Sequence, residues 1–125
     1  MADILLVDDE PMLRSVLCAY LRFAGHAVIE CRDGDEALER LRDSSVDIVV
    51  SDVLMPGMDG LALCGAMRAI PNLAGIPVLF VTARSVDASM QAEMDRIGDG
   101  SVLKPFEPDA LLAAIGTAIA KRADR

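Results

Sequence analysis

Residues 4–10 read ILLVDDE, four aliphatic residues followed at once by three acidic ones. An aliphatic run this short and unbroken is typical of a strand covered on both faces of a sheet. Similar short runs recur along the chain, and together they predict five strands at residues 4–7, 27–30, 48–51, 78–81 and 101–103. Continuous apolar strands of this kind favour a parallel sheet.

Longer amphipathic stretches separate the predicted strands. The clearest has apolar residues at offsets of 3 and 4, with Arg14 and Arg22 on the opposite face. Its apolar stripe consists of Leu13, Val16, Leu17, Tyr20, Leu21 and Ala24. Two further helices are predicted to begin near Asp33, which starts a capping-box pattern with Glu36, and near Pro108. Two more are predicted over residues 61–70 and 86–97.

Five strands alternating with five helices predict an α/β fold over residues 1–125. Right-handed crossovers then place helices on both faces of one five-stranded parallel sheet, a doubly wound three-layer sandwich. The length of 125 residues, 53% of them apolar, suits a single domain with one continuous sheet.

Composition excludes several classes of function. The net charge of −8 opposes nonspecific binding to nucleic acid or to an anionic membrane, and an aromatic content of 3% provides no base-stacking platform. Three widely spaced cysteines lie in apolar runs, which favours buried thiols in a reducing, cytoplasmic compartment. The longest mostly apolar stretch, residues 110–120, is too short to cross a bilayer.

Polar residues of distinctive chemistry follow the predicted strands. Asp8 and Asp9 follow the first strand and Asp52 the third, while Thr82 and Lys104 follow the fourth and fifth. In open parallel sheets, ligands bind beyond the carboxyl ends of the strands. Three carboxylates crowded there repel one another unless a cation joins them, and an all-oxygen ligand set favours Mg²⁺ or Mn²⁺.

Each of these residues also has a purely structural interpretation. Asp9 could cap the helix that begins near Pro11, and Asp52 could start a solvated loop. Threonine is common in strands, and an isolated lysine such as Lys104 is usually a surface cation. The functional interpretation therefore depends on all of these residues occurring together at successive strand ends.

The chain resembles the receiver domain of two-component response regulators over its whole length. The matching segments are ILLVDDE at 4–10, DGDEAL at 33–38, DVLMPGMDG at 52–60, VTA at 81–83 and KPF at 104–106. The resemblance implies a flavodoxin-like strand order of 2-1-3-4-5 and a single receiver domain over residues 1–125. It also implies a signalling domain rather than an enzyme, with at most self-phosphorylation from small donors and self-dephosphorylation.

The resemblance assigns roles to the acidic residues. It implies that Asp52 is the phosphoacceptor and that Asp9 and Asp52 bind Mg²⁺ directly, together with the backbone carbonyl of Leu54. Asp8 is then expected to act mainly through metal-bound water.

The resemblance also assigns the groups around the phosphoryl oxygens. Thr82 and Lys104 are expected to contact those oxygens, and the Lys104–Pro105 peptide is expected to be cis. The family usually has an aromatic switch residue three positions before the lysine, and this sequence has Ser101 there. A small hydroxyl cannot report burial as a ring does, so we expect the signal to run through backbone and loop shifts.

Two positions are expected to modulate the lifetime of the phosphoryl group. These are Leu54, two residues after Asp52, and Arg84, two residues after Thr82. Leu54 could exclude water and Arg84 could pair with phosphate, which predicts a fairly long-lived phosphoryl state.

The implied partners are a sensor histidine kinase or a histidine phosphotransfer protein, a downstream target protein, and a second copy of the chain on phosphorylation. Neither nucleic acid nor a membrane is an expected direct partner. The output surface is expected on the fourth helix, fifth strand and fifth helix. Candidate residues there are Met90, Met94, Ala110, Ala113, Ala114 and Ala118, although core packing or helix propensity is the favoured interpretation for the alanines.

Two other functions stay open at this point. One is a haloacid-dehalogenase-like phosphatase, which also forms an aspartyl phosphate but has a second acid two residues after its nucleophile, where this chain has Leu54. The other is an interaction module of the same fold that works without phosphate, an interpretation left open by Ser101. A P-loop nucleotide enzyme is disfavoured because no GxxxxGK stretch occurs.

Overall fold

The alternation of strands and helices predicted above is present in the computed structural model, which describes residues 1–82 and 87–123. The elements in chain order are β1 (Asp3–Val7), α1 (Pro11–Phe23), β2 (Ala27–Cys31), α2 (Gly34–Asp43), β3 (Ile48–Asp52), α3 (Gly60–Ala69), β4 (Val78–Thr82), α4 (Ala88–Ile97), β5 (Ser101–Leu103) and α5 (Pro108–Ala123). Across those two ranges, no helix is long and apolar enough to span a bilayer.

The five strands form one parallel sheet in the order β2-β1-β3-β4-β5. The predicted fold class and strand order are therefore confirmed. In this order β1 lies between β2 and β3, with Leu5 opposite both Ile29 and Val49. The carboxyl ends of β1 and β3 consequently lie side by side.

Successive residues of β1 pack into two separate apolar clusters because side chains alternate across a strand. Leu5 and Val7 pack with buried residues of α2, α3 and α4 on one face. Ile4 and Leu6 pack with α1 and α5 on the other. The sheet is thus the middle of three layers.

The ends of several elements differ from the prediction. β3 and β4 each continue one residue further, so Asp52 and Thr82 are the last residues of strands rather than loop residues. The capping role considered for Asp9 is wrong, because Glu10 occupies the N-cap position of α1. Val86, the predicted start of the fourth helix, lies outside the described residues.

Two predictions about side-chain burial have different outcomes. Val16, predicted in the apolar stripe of α1, is 63% exposed, because α1 contacts the sheet through Leu17, Cys18 and Leu21 instead. The cysteines are buried, as predicted. Burial raises the pKa of the Cys31 thiol to about 12 and that of the Cys64 thiol to about 11, so both are unreactive near neutral pH.

The residues considered for the output surface divide into three groups. Met90 and Ala114 are partly buried, each packed against one of the two apolar clusters. Met94 is 2% exposed and Ala118 is fully buried, so both belong to the core and cannot contact a partner. Ala110 and Ala113 are exposed on α5. The structure therefore supports the simple core interpretation for part of the set.

A buried ion pair ties the amino-terminal edge of the sheet together. Asp99, 3% exposed, accepts hydrogen bonds from the Val78 amide and from Arg68, each at 2.9 Å. The Arg68 guanidinium also donates to the carbonyls of Ile97, Ala74 and Ile76. Arg122 of α5 lies 3.7 Å from the other Asp99 oxygen. One carboxylate thus joins α3, β4, α5 and the segment before β5.

We expect Arg68→Met to lower the free energy of unfolding by about 3–5 kcal/mol, because it leaves the buried Asp99 charge without its main partner. Urea unfolding measures the change. The matched control is Arg96→Met, which breaks an exposed pair with Glu93 on α4 and should change the free energy of unfolding far less. Equal losses in the two variants would contradict this account.

Candidate functional site

Three carboxylates meet where the carboxyl ends of β1 and β3 adjoin. Asp8 and Asp9 directly follow β1, and Asp52 ends β3. Val7 pairs with Ser51 in the sheet, so the acidic residues after each strand fall beside each other. One carboxylate oxygen from each of the three acids lies within 4.8 Å of the others. The clustering predicted for these acids is therefore present.

Lys104 brings a positive charge to the same cluster. Its Nζ donates to Asp52 Oδ2 at 3.1 Å and lies 3.8 Å from Asp8 Oδ2. The lysine backbone is held by its amide, which donates to the carbonyl of Thr82 at 2.7 Å. The peptide between Lys104 and Pro105 is cis, as predicted. One ammonium group thus faces two of the three carboxylates.

Asp8 is the most deeply placed of the acids. Its side chain is 2% exposed, and its Oδ1 accepts a hydrogen bond from the Glu10 amide at 2.9 Å. Burial raises the pKa of the Asp8 carboxyl above its ordinary value, and the neighbouring charges of Asp52 and Asp9 act in the same direction. The Glu10 hydrogen bond and Lys104 only partly oppose this rise. A bound divalent cation would relieve the cost of keeping Asp8 ionised.

The donor set fits Mg²⁺. The cluster offers only oxygen ligands, from Asp8, Asp9 and Asp52, and two of these side chains retain access to solvent. Magnesium prefers carboxylate oxygens and keeps several of its own waters, so it needs such a partly open site. Exposed acidic groups alone would be weak evidence for a metal site. Asp8, however, is buried, and Lys104 and the Glu10 amide only partly stabilise its charged form.

The start of α3 fixes the backbone of Asp52 from behind. The Gly60 amide donates to the carbonyl of Val53 at 2.9 Å, and a side chain at Gly60 would overlap the carbonyl oxygen of Asp52. Asp59 caps α3 by accepting from the Ala62 amide. The helix can therefore begin directly against Asp52 only because residue 60 is glycine. The sequence pattern did not identify this role, since packing against a carbonyl has no periodic signal.

The remaining predicted residues differ in their place in the sheet and in their exposure. Thr82 is 4% exposed at the end of β4, next to Val81, which pairs with Asp52. Leu54 is 45% exposed just beyond β3, and Ser101 is exposed as the first residue of β5. Arg84, predicted to pair with phosphate, lies outside the described residues.

Arg14 was also missed as a residue of this site. It was predicted on the outer face of the first helix, but its guanidinium reaches back over the start of α1 and donates to the backbone carbonyl of Asp8 at 2.8 Å. Glu30 on β2 lies 3.4 Å from its Nε. Helical periodicity places Arg14 on a face correctly, but it says nothing about where a long flexible side chain ends.

An apolar groove of about 440 Å³ lies beside the cluster, between α1 and the segment that leads into α5. Lys104 lines it on the side of the carboxylates, and the exposed Val16 lines it on the side of α1. Its other lining residues are Leu13, Leu17, Tyr20, Pro105, Phe106, Pro108 and Leu111. Tyr20 also donates a hydrogen bond from its hydroxyl to Asp109 of α5.

Comparison with protein families agrees with this geometry. The model of the response regulator receiver domain matches residues 4–116, so the chain belongs to the receiver-domain family of two-component response regulators. The predicted resemblance is confirmed. Membership favours the receiver interpretation over the dehalogenase-like phosphatase.

Known relatives and solved structures are similar over nearly the whole chain. The DNA-binding response regulator MtrA of Mycolicibacterium smegmatis is 32% identical over 121 residues, which are 97% of this chain and 52% of MtrA. The chain spans about half the length of the curated relatives it matches.

Two solved structures have nearly the same backbone. The chemotaxis protein CheY4 of Vibrio cholerae is 30% identical with a TM-score of 0.87, covering 94% of this chain and 98% of that one. The receiver domain of a signal transduction histidine kinase from Syntrophus aciditrophicus is 31% identical with a TM-score of 0.87, covering 97% and 92%.

Family membership gives the general function. Receiver domains act in phosphorylation-dependent signalling, bind Mg²⁺, and work between histidine kinases and downstream effectors. They are signalling domains rather than classical enzymes.

We expect Asp8→Asn to raise the free energy of unfolding of the cation-free protein at pH 7 by about 1 kcal/mol, within the range that single stabilising substitutions reach. The raised pKa means that protonated Asp8 favours the fold below its unfolded pKa of about 3.8, and that this contribution is lost as pH rises through the folded pKa. Asparagine removes the charge and keeps an oxygen for the Glu10 amide.

The gain should shrink as pH falls and Asp8 becomes protonated, and saturating Mg²⁺ should stabilise the unmodified protein more than the variant. Urea unfolding at pH 7 and at pH 4, with and without Mg²⁺, measures both effects. A variant less stable than the unmodified protein at pH 7 without cation would show that the Asp8 charge favours the fold.

Proposed function

We propose that the chain is a phosphorylation-dependent signalling switch whose phosphoacceptor is Asp52. The observation that carries the proposal is the position of the Asp52 carboxylate. It lies at the open carboxyl end of β3, 3.1 Å from the Lys104 ammonium and within 4.8 Å of the carboxylates of Asp8 and Asp9. A nucleophile, a cation site and a positive charge for phosphoryl oxygens are thus adjacent.

Asp52 acts as the nucleophile. One of its carboxylate oxygens attacks phosphorus, forming an acyl phosphate as the bond from phosphorus to the donor breaks. With a phosphohistidine donor, the electron pair of that bond stays on the imidazole nitrogen. Lys104 then exchanges its contact with Asp52 for a phosphoryl oxygen, and the Thr82 hydroxyl donates to another.

Asp9, Asp52 and the backbone carbonyl of Leu54 are the proposed direct ligands of Mg²⁺, which Mn²⁺ can replace. When bound, the ion neutralises charge on the phosphoryl oxygens. Asp8 contributes through ordered water and by its own charge. Its carboxylate is held by a hydrogen bond from the Glu10 amide at 2.9 Å.

A histidine kinase or a histidine phosphotransfer protein is the proposed donor. Its phosphohistidine must reach Asp52, and the apolar groove lined by Val16 and Lys104 offers a docking surface for a helix beside that path. The exposed apolar side chain of Met12 in the first turn of α1 extends this surface towards Asp9. The complementarity of this surface, rather than the acidic cluster, determines which partner binds.

The proposed output surface is the exposed face of α4, β5 and α5. It includes Ser101, Leu103 at 52% exposure, and the exposed Ala110 and Ala113. Ser101 has no aromatic ring that could move inward. We therefore propose that Thr82 transmits the change through the backbone that follows β5, where the Lys104 amide donates to the Thr82 carbonyl. A downstream protein or a second copy of the chain binds there.

We expect incubation with acetyl phosphate and Mg²⁺ to add one phosphoryl group to the protein, seen by intact mass. Asp52→Asn should abolish the adduct because the amide is a poor nucleophile, and chelation of the cation should do the same. The matched control is Asp43→Asn, at an exposed acid that ends α2, and it should label normally.

An adduct that survives Asp52→Asn would place the phosphoryl group elsewhere. No adduct under conditions that label an ordinary receiver domain would favour an interaction module that works without phosphate.

We also expect Leu54→Asn to shorten the half-life of the phosphorylated protein several-fold. The asparagine amide can hydrogen-bond a water next to the acyl phosphate, whereas leucine keeps that side of Asp52 apolar. Loss of the adduct with time, measured by intact mass after removal of the donor, gives the half-life. Phe23→Asn, at an exposed apolar residue ending α1, serves as the control. Faster hydrolysis in the unmodified protein than in Leu54→Asn would contradict the protective role.

A further inference from the structure

Asp8 is held at three points by groups outside the acidic cluster. Its amide donates to the carbonyl of Cys31 on β2 at 3.1 Å, and its Oδ1 accepts from the Glu10 amide. Its carbonyl accepts from Arg14 Nη1 at 2.8 Å. The first two contacts follow from strand pairing and from the tight turn into α1. The third requires one particular side chain.

The bond from Arg14 fixes more than one residue. A peptide unit is planar, so the carbonyl of Asp8 and the amide of Asp9 lie in one plane and turn together. Holding the Asp8 carbonyl therefore sets the direction in which the chain reaches Asp9. Asp9 is exposed, and its side chain lacks the burial that fixes Asp8. The orientation of this peptide plane is thus a main constraint on where the Asp9 carboxylate can go.

Glu30 holds the guanidinium of Arg14 in the required position. Its Oε1 lies 3.4 Å from Arg14 Nε, and the two side chains are 34% and 19% exposed. Glu30 stands opposite Leu6 in the pairing of β2 with β1, one residue before the Cys31 that bonds Asp8. The pairing with Glu30 holds this cationic side chain at the Asp8 backbone carbonyl, close to the carboxylates of Asp8, Asp9 and Asp52. A free guanidinium could instead pair with those carboxylates and compete with a cation.

We propose that Arg14 is a positioning residue of the cation site, and that it acts by fixing the plane of the Asp8–Asp9 peptide with Glu30 as its orienting partner. This rests on the proposed role of Asp8, Asp9 and Asp52 as the Mg²⁺ site. Groups that orient metal ligands without touching the metal commonly change metal affinity by about 10–100-fold when they are removed.

The test is a titration with Mn²⁺ in which the electron paramagnetic resonance signal of free Mn²⁺ gives the dissociation constant. We expect Arg14→Gln to raise that constant about tenfold. Arg14→Lys should recover part of the affinity, since lysine keeps the charge and can donate to the Asp8 carbonyl but lacks the rigid planar group with which Nη1 and Nε bond Asp8 and Glu30 at once.

Arg22→Gln is the matched control. Arg22 is on the same helix and donates to a backbone carbonyl of β2, that of Val28, at 3.0 Å. It lies in the last turn of α1, at the end of the helix opposite Asp8. Its loss should lower stability in the same way without changing Mn²⁺ affinity. In the cation-free protein, the backbone amide resonance of Asp9 should shift in Arg14→Gln and stay in place in Arg22→Gln.

The outcomes separate two failures. Unmodified protein that binds no Mn²⁺ would overturn the proposed cation site and the role of Arg14 with it. Equal Mn²⁺ affinity in Arg14→Gln and the unmodified protein would overturn only the role of Arg14. If Arg14→Gln does not fold, Glu30→Gln decides: it leaves the bond from Arg14 to Asp8 in place and should weaken Mn²⁺ binding by a smaller factor, and unchanged affinity would overturn the proposal.

Discussion

The arrangement of this protein depends on keeping three carboxylates close together at one edge of a sheet. Like charges within 4.8 Å repel, and a single ammonium group, that of Lys104, offsets part of that repulsion. The fold meets this cost with backbone contacts that do not titrate: the Glu10 amide on Asp8, the strand pairing of β1 with β3, and the helix start at Gly60 behind Asp52. The rigid frame therefore holds charges that would separate on a flexible chain.

The carboxylates at the two ends of the sheet differ in how far basic groups of the protein balance their charge. At the carboxyl end, the carboxylates of Asp8, Asp9 and Asp52 lie beside the ammonium group of Lys104, and the excess negative charge favours binding of a cation. At the amino end, the buried Asp99 meets Arg68 and Arg122 together with a backbone amide. That carboxylate is paired with groups of the protein itself. The amino end therefore holds α3, β4 and α5 in a fixed arrangement, while the carboxyl end has negative charge that a cation could balance.

Much of this could be predicted from the sequence because it follows from periodic patterns and from residues at strand ends. The layers follow from continuous apolar runs in a parallel sheet. The strand order, which brings Asp8, Asp9, Asp52 and Lys104 together, is implied by the resemblance to receiver domains. The contacts of Arg14 and the burial of Asp99 could not be predicted in the same way. Each depends on where one side chain ends in three dimensions, and neither leaves a periodic trace. Val16 shows the same limit, since an apolar residue at helical spacing lies here at the margin of a groove.

The buried thiols have a practical consequence for following the switch. Cys18, Cys31 and Cys64 are shielded from solvent, and the chain contains no tryptophan and a single tyrosine. A cysteine introduced on the exposed face of α4 or α5 could therefore be labelled in the otherwise unaltered protein. A single introduced tryptophan would likewise report without background. Because the core is aliphatic and the thiols are buried, the unmodified protein contributes little fluorescence and little thiol labelling. A measured signal would therefore report on the position chosen for the probe.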